Sequence, residues 1–600
     1  MKKTKEIIEY CKENKWLHYI VIIAIGIILS VPLKYIQIRD THDGCLHYLR
    51  IMGTINSFKL GQIPPIVAPF YCNGWGYAMN LFYNPIVTYI PLLLKLCIPS
   101  YMLMLKIYAG ICIVLSGITM YIFVNSVTDN KAIALISAIL YMAAPYKLGD
   151  IYRRYAIGEF TSFIFIPILF QGLYSLLKKD GSKHYLISIS TILLLLTHTV
   201  TTFYLAIFSG VYVLFNIKKL KEKFVLNKIF INLFLVIMVC MFFVMPMMEA
   251  RIKGNYTIFD DEIMHMNGDY VYNNTLTIDR LFKENVVIFE DTIFCIGIII
   301  AILFALNIIL YRFVDNRYKD LYIIFIMFSI LSLYMCTKYC PWFILPNFFC
   351  KLQYPWRMLG FFNFFSSFII GINLYIILKF LFKKDLIRIL VASIILGMIV
   401  SNSISIMMQF KTNDENRDEK YINSIMNDLE INPLRINREY MTFNALVKQR
   451  NYLQEREHDT ICILQGEADI INQNKEELSM SAKIKDISKD TILEFPFLYY
   501  PGYEVIIKNE NGIEKKYEAI ESENGFASIQ IENNIDGESQ INIEFKPTKL
   551  TKISYIISGV SLIILIVYII YEKGKNKEKI EDRIEHKEEI EDKIDNIKKR

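Results

Sequence analysis

Residues 16–35 read WLHYIVIIAIGIILSVPLKY, and residues 40–85 read DTHDGCLHYLRIMGTINSFKLGQIPPIVAPFYCNGWGYAMNLFYNP. The first stretch is an apolar run of about the 20 residues a bilayer requires, and it predicts a transmembrane helix. It is too long for a signal-peptide core and lacks a small-residue cleavage site, so it is expected to remain as an anchor. The second stretch is thereby delivered to the membrane surface. It holds Asp40, His42, Asp43, His47 and a row of aromatics, where connections between helices are usually about 4–6 residues long. Ionisable groups fixed at a membrane boundary mark a functional site, and Asp43 and then Asp40 are the candidate catalytic carboxylates.

The remainder of the chain repeats the first pattern. Of 600 residues, 54% are hydrophobic and 14% aromatic, the mean hydropathy is +0.33, and apolar residues fall in blocks of membrane length. This composition predicts an all-α polytopic membrane protein. The net charge of +6 is spread over short loops rather than one soluble face, which excludes a nucleic-acid partner. The 11 cysteines form no CxxC pair and no metal-ligand spacing. P-loop, dinucleotide and GxSxG patterns are missing too, which argues against soluble nucleotides and serine catalysis.

Basic clusters at 2–15, 178–183, 218–228, 312–319, 379–388 and 573–579 are assigned to the cytoplasm by the positive-inside rule. Each segment between them must then cross an even number of times. The expected spans are 16–36, 102–124, 132–148, 158–177, 185–198, 200–216, 228–247, 291–311, 320–337, 357–379, 387–408 and 552–571, about twelve helices with both termini in the cytoplasm. Residues 85–99 are too short to span and are expected to be re-entrant or interfacial. The domain organisation follows. Residues 1–408 form a transmembrane domain with an external loop at 37–100. Residues 409–550 alternate in polarity between Asn-Gly and Asp-Gly turns, predicting a small extracytoplasmic α+β, β-rich domain that is helical near 418–429. Residues 551–571 are the last span, and 572–600, where IEDRI and IEDKI recur, a charged cytoplasmic helical tail.

Such a bundle, with acidic groups at its outer surface, suits transfer chemistry on a lipid-linked substrate. A polyprenyl phosphate donor needs a carboxylate to deprotonate the acceptor and cations for the departing phosphate. In GDIYRRYAIGE, residues 149–159, Arg153 and Arg154 offer guanidinium forks for phosphate, and Arg357 of LQYPWRM adds a third. Asp150, Glu159, His42, His47 and His198 are expected in support. Trp75, Tyr77, Tyr83, Tyr354 and Trp356 are candidates for sugar or lipid contact, with interfacial anchoring or packing as the plainer reading. No cofactor is certain; a divalent metal, if bound, would take Asp43, Asp150 and Glu159.

The ordered pieces THDGCLHYLRI, GQIPPIVAPFYCNGWGYAMNLFYNP, AAPYKLGDIYRRYAIGEFTSFIFIPILF, LLTHTVTTF, LQYPWRMLGF and FPFLYYPGYEV resemble the YfhO-like group of bacterial multispanning proteins. The resemblance implies the GT-C fold. It implies a membrane glycosyltransferase that uses a polyprenyl-phosphate sugar, with its catalytic Asp in the first external loop, where Asp43 matches a His-Asp pair. The expected partners are the plasma membrane bilayer, the lipid-linked donor and a cell-envelope polymer or glycolipid acceptor. A transporter or flippase of lipid-linked sugars and a non-catalytic envelope scaffold are the alternatives.

Overall fold

A computed structural model describes residues 14–283, 294–411, 438–448 and 452–598. The expected helix near 418–429 lies outside the described residues. The first helix, α1 (Lys15–Ser30), starts where the Asn14 side chain accepts from the Trp16 amide at 3.0 Å, an N-cap. It leads into α2 (Gly44–Lys59), α3 (Ile86–Lys95), α4 (Tyr101–Thr128) and α5 (Lys131–Met142). The pair α6 (Ile157–Ser162) and α7 (Ile166–Lys178) follows, then α8 (Leu186–Leu195), α9 (Thr199–Phe215) and α10 (Lys223–Lys253). The bundle closes with α11 (Ile298–Ala305), α12 (Lys319–Cys336), α13 (Met358–Leu381) and α14 (Asp385–Met408).

Among the described residues eight helices are long and apolar enough to cross a membrane. A bent pair, Lys131–Met142 and Pro145–Arg154 at 42°, makes nine. The expectation of about twelve spans is corrected accordingly. α8 and α9 form as expected on either side of Thr197-His198-Thr199, but at 10 and 17 residues each is short of a full span. The span expected at 291–311 is a broken helix starting at Ile298, with residues 284–293 outside the description. α3, at 10 residues, is likewise too short to cross.

α13 is the centre of the bundle. Every residue from Met358 to Leu374 is buried, the signature of a helix surrounded on all sides. Its phenylalanines interlock edge to face with neighbours, Phe365 on Phe325 at 4.9 Å and on Phe170 at 5.6 Å. Where α13 crosses α5 the contact is closer still: a Cβ on Gly371 would overlap Ser137 Oγ and lie 3.3 Å from the Ile133 carbonyl. At one end of the bundle Lys178 pairs with Asp320 at 2.9 Å, Arg317 with Asp129 at 3.7 Å, and Lys228 with Glu572 at 2.5 Å. The Asn576 amide donates to the Ser182 carbonyl at 2.8 Å. Four of the basic clusters in the sequence thus share one end.

The C-terminal part is antiparallel throughout. Its strands are β1 (Cys462–Gln465), β2 (Asp469–Lys475), β3 (Ser479–Ile487), β4 (Ile492–Leu498), β5 (Tyr503–Asn509), β6 (Glu514–Glu518), β7 (Ile520–Glu521), β8 (Phe526–Gln530) and β9 (Ile535–Phe545). They form two sheets, ordered β1-β4-β8-β7 and β2-β3-β9-β5-β6. Alternate residues such as Tyr503, Val505 and Ile507 are buried, as the sequence pattern predicts. The next helix, α15 (Lys549–Lys598), begins almost at once; Thr548 donates to the Glu249 carboxylate of α10 at 2.6 Å.

The domain sits on the loop after α2. Trp75 is fully buried, 5.1 Å from Phe526 and 5.6 Å from His458, and its carbonyl accepts from the Leu498 amide at 2.9 Å. Tyr256 donates to the Tyr499 carbonyl at 3.0 Å from a second loop.

Candidate active site

Residues 40–44 and 150–159 are joined through their backbones before their side chains meet. The His42 amide donates to the Arg153 carbonyl at 3.1 Å and the Asp43 amide to the Arg154 carbonyl at 2.8 Å. Those carbonyls belong to a π-helical turn, Asp150–Arg154, which ends at Tyr155 in the left-handed region with φ 53°. Wide turns of this kind recur at functional sites. On the facing segment a Cβ at Gly44 would overlap Thr41 Oγ1 and the Ile38 carbonyl. Glycine is therefore required where THDG turns into α2.

Asp43 is the N-cap residue of α2, yet its carboxylate caps nothing. It lies 3.9 Å from Arg154 and is 38% exposed, against 0% for Asp150 and 3% for Glu159. Arg154 is the hub of the group. Its guanidinium donates to Asp150 and, at 2.6 Å, to Glu159, and it lies 4.4 Å from the centre of the Trp356 ring. Glu159 also accepts from Tyr146 at 2.5 Å and stands 3.6 Å from Nε of Arg357. Buried ions survive only when paired, because each uncompensated one costs several kcal/mol. Here Asp150 and Glu159 are buried against Arg154, and Asp43 is the carboxylate left accessible.

Arg153 is turned differently. It donates to the backbone carbonyl of Asp40 at 2.9 Å, and its guanidinium lies 5.6 Å from the Phe410 ring. The Asp40 carboxylate is not what holds this arginine. The metal expected at Asp43, Asp150 and Glu159 does not fit the arrangement, since all three carboxylates are directed at one guanidinium. Among the described residues no group of three His, Cys, Asp or Glu side chains is placed to hold a metal ion.

The supporting histidines separate. His198 caps α9 by accepting from the Thr201 amide and, with Glu159, Thr201 and Arg357, lines a small cavity inside the bundle. His47 is buried in α2, 3.4 Å from Arg50 and 3.5 Å from the Tyr83 hydroxyl. Burial, reinforced by the positive charges of Arg50 and Arg154, holds its imidazole well below its ordinary 6.5. It is neutral at pH 7 and serves as a hydrogen-bond partner rather than a cation. His42 is exposed.

The aromatics divide in the same way. Trp356 is stacked between Phe294 at 3.9 Å and Tyr354 at 4.8 Å and carries Arg154 on its ring. Tyr83 lies 4.0 Å from the Arg50 guanidinium. Trp75 and Tyr77 are not beside this group: they are packed at the junction with the β domain, where the Tyr77 hydroxyl accepts from the Tyr440 amide at 3.2 Å. Four further residues join the network without having been expected. Arg50 pairs with Glu439 at 3.4 Å and donates to Tyr440 at 2.9 Å, and Tyr146 holds Glu159. Arg50 stands three residues after His47 on α2, an i,i+3 spacing that reveals it in hindsight. Nothing in the sequence brings Glu439 to this place.

No family model matches the chain. A protein of Lactococcus lactis subsp. cremoris (strain MG1363), described as uncharacterized, is 25% identical over 355 residues, 57% of this chain and 57% of that protein. The match thus spans little more than half the length of that relative. Among solved structures the chain is similar to the archaeal oligosaccharyltransferase AglB from Archaeoglobus fulgidus in complex with an inhibitory peptide and a dolichol-phosphate. Identity is 13% and the TM-score 0.40, with 72% of this chain and 61% of that one covered. For the apo form of the Archaeoglobus fulgidus oligosaccharyltransferase the values are 12% and 0.39, with the same coverage. At that similarity no residue role is transferred.

Proposed function

We propose that the chain is a membrane glycosyltransferase of the GT-C type, of the YfhO-like group, which moves a sugar from a polyprenyl-phosphate donor to a cell-envelope acceptor. The site would face the extracytoplasmic side of the plasma membrane, with both termini in the cytoplasm, since the basic clusters gather at the opposite end of the bundle. The observation that carries the reading is the carboxylate of Asp43, accessible and held beside a buried arginine network. In this reading Asp43 takes the proton of an acceptor hydroxyl. The acceptor oxygen attacks the anomeric carbon as the bond to the donor phosphate breaks, with inversion. The departing phosphate is met by Arg153 and Arg357, while Arg154, saturated by carboxylates, fixes the position of Asp43. Tyr83 and Tyr354 border the reacting sugar.

The test is transfer by purified protein supplied with a polyprenyl-phosphate sugar and labelled acceptor. Asp43→Asn is expected to lose about 10²–10⁴-fold in rate, the usual contribution of a general base. Asp40→Asn keeps most of its activity, because Arg153 uses only the backbone carbonyl at that position. Turnover of the Asp43 variant at the unmodified rate would remove the base from the scheme.

A further inference from the structure

A second cleft, of about 500 Å³, opens between α2, the loop after it and the β domain. Its volume is within the range of ligand sites, about 300–1,000 Å³. Met52 and Asn56 of α2, Phe70 and Asn73 of the loop, and His458 and Asp459 of the β domain line it. Asn56 is about 20 Å along α2 from Asp43, so the cleft is distinct from the site described above.

Three features give it the character of a ligand site. Phe70 is 51% exposed, an aromatic ring left open on a wall of the cleft. Asn73 has an Oδ1 atom without a hydrogen-bond partner, and its backbone has φ 56°, between Cys72 at 56° and Gly74 at 75°. Successive left-handed residues are costly and persist where the surroundings enforce them. The Asp459 carboxylate is 74% exposed and pairs at 3.3 Å with Lys475, whose ammonium also donates to the His458 carbonyl at 2.9 Å.

We propose that this cleft binds a neutral saccharide. A sugar ring has an apolar C–H face, which an aromatic ring covers, and a rim of hydroxyls that both donate and accept. An Asn amide, with two donors and one acceptor, and a carboxylate match that rim. A phosphate or an anionic headgroup requires an unspent cation, and Lys475 is already committed to Asp459 and His458. A peptide that adds as a strand requires a free strand edge, and the two domain residues that line the cleft precede β1. The inference is independent of sugar transfer at Asp43, and the two readings fail separately.

The experiment uses the full chain in nanodiscs, applied to an array of immobilised oligosaccharides with hexose, N-acetylhexosamine and uronic acid backbones, alongside anionic vesicles and immobilised peptides. Saturable retention by a neutral oligosaccharide is expected, weakened about tenfold or more in Phe70→Ala and Asn73→Gly and unchanged in Asp43→Asn. Phe70 is half exposed and glycine accepts the backbone angle of Asn73, so both variants keep the melting temperature of the parent. Retention of no oligosaccharide, retention by both cleft variants equal to that of the parent, or preference for the vesicles, the uronic acids or the peptides would overturn the proposal.

Discussion

At Glu159 a single carboxylate answers Arg154, Arg357 and the Tyr146 hydroxyl, and it is almost wholly buried. Its removal leaves buried positive charge without compensation. Glu159→Ala is expected to cost about 3–5 kcal/mol, measured as a fall in melting temperature in mild detergent. Asp43 presents the opposite case. Its pair with Arg154 is long and partly exposed, worth at most about 1 kcal/mol, so Asp43→Asn melts with the parent while losing transfer. Equal destabilisation by both variants would mean that Asp43 belongs to the structural network. The residues of this network were legible in the sequence where charge stood out against an apolar background, as with Asp43, Arg154 and Glu159. Tyr146 was not, because a tyrosine in a membrane protein is ordinarily read as an interfacial residue.

Among the elements, the crossing of α13 over α5 is set by backbone proximity. Small residues allow membrane helices to approach where no hydrophobic force drives them together. Gly371→Val forces its side chain into Ser137 and the Ile133 carbonyl, and overpacking of this sort costs about 1–3 kcal/mol. The check is chemical unfolding in detergent, with Ser137→Ala added; part of the loss is expected to return in the double variant. Unfolding of Gly371→Val at the parental midpoint would show the crossing to be loose. Element positions were well marked in the sequence: α8 and α9 lie where the polar Thr197-His198-Thr199 turn divides an apolar run. Their lengths were not, because hydropathy records where apolar residues continue and not where the backbone hydrogen-bond ladder breaks. The π-helical turn at Asp150–Arg154 was hidden for the same reason.

For the whole molecule, the decisive contact is the one between the loop after α2 and the β domain. The alternation of β5 and β9 predicted the strands; the docking partner was not readable, since Trp75 has the same appearance whether it faces a ligand or Phe526. Trp75→Ala empties a fully buried site and is expected to cost about 3–5 kcal/mol at that junction. Hydrogen exchange at the Leu498 amide, which donates to the Trp75 carbonyl, then accelerates while exchange in α13 holds. Uniform acceleration across both regions would show that bundle and domain unfold as a unit.

β9 ends at Phe545 and α15 starts at Lys549, and Thr548 is fastened to Glu249 between them. The β domain therefore cannot drift from the bundle at that corner, and it meets its loop as a unimolecular partner. A short tether of this sort sets an effective concentration of about millimolar order. A contact surface too weak to join two separate proteins is enough to keep these two parts shut.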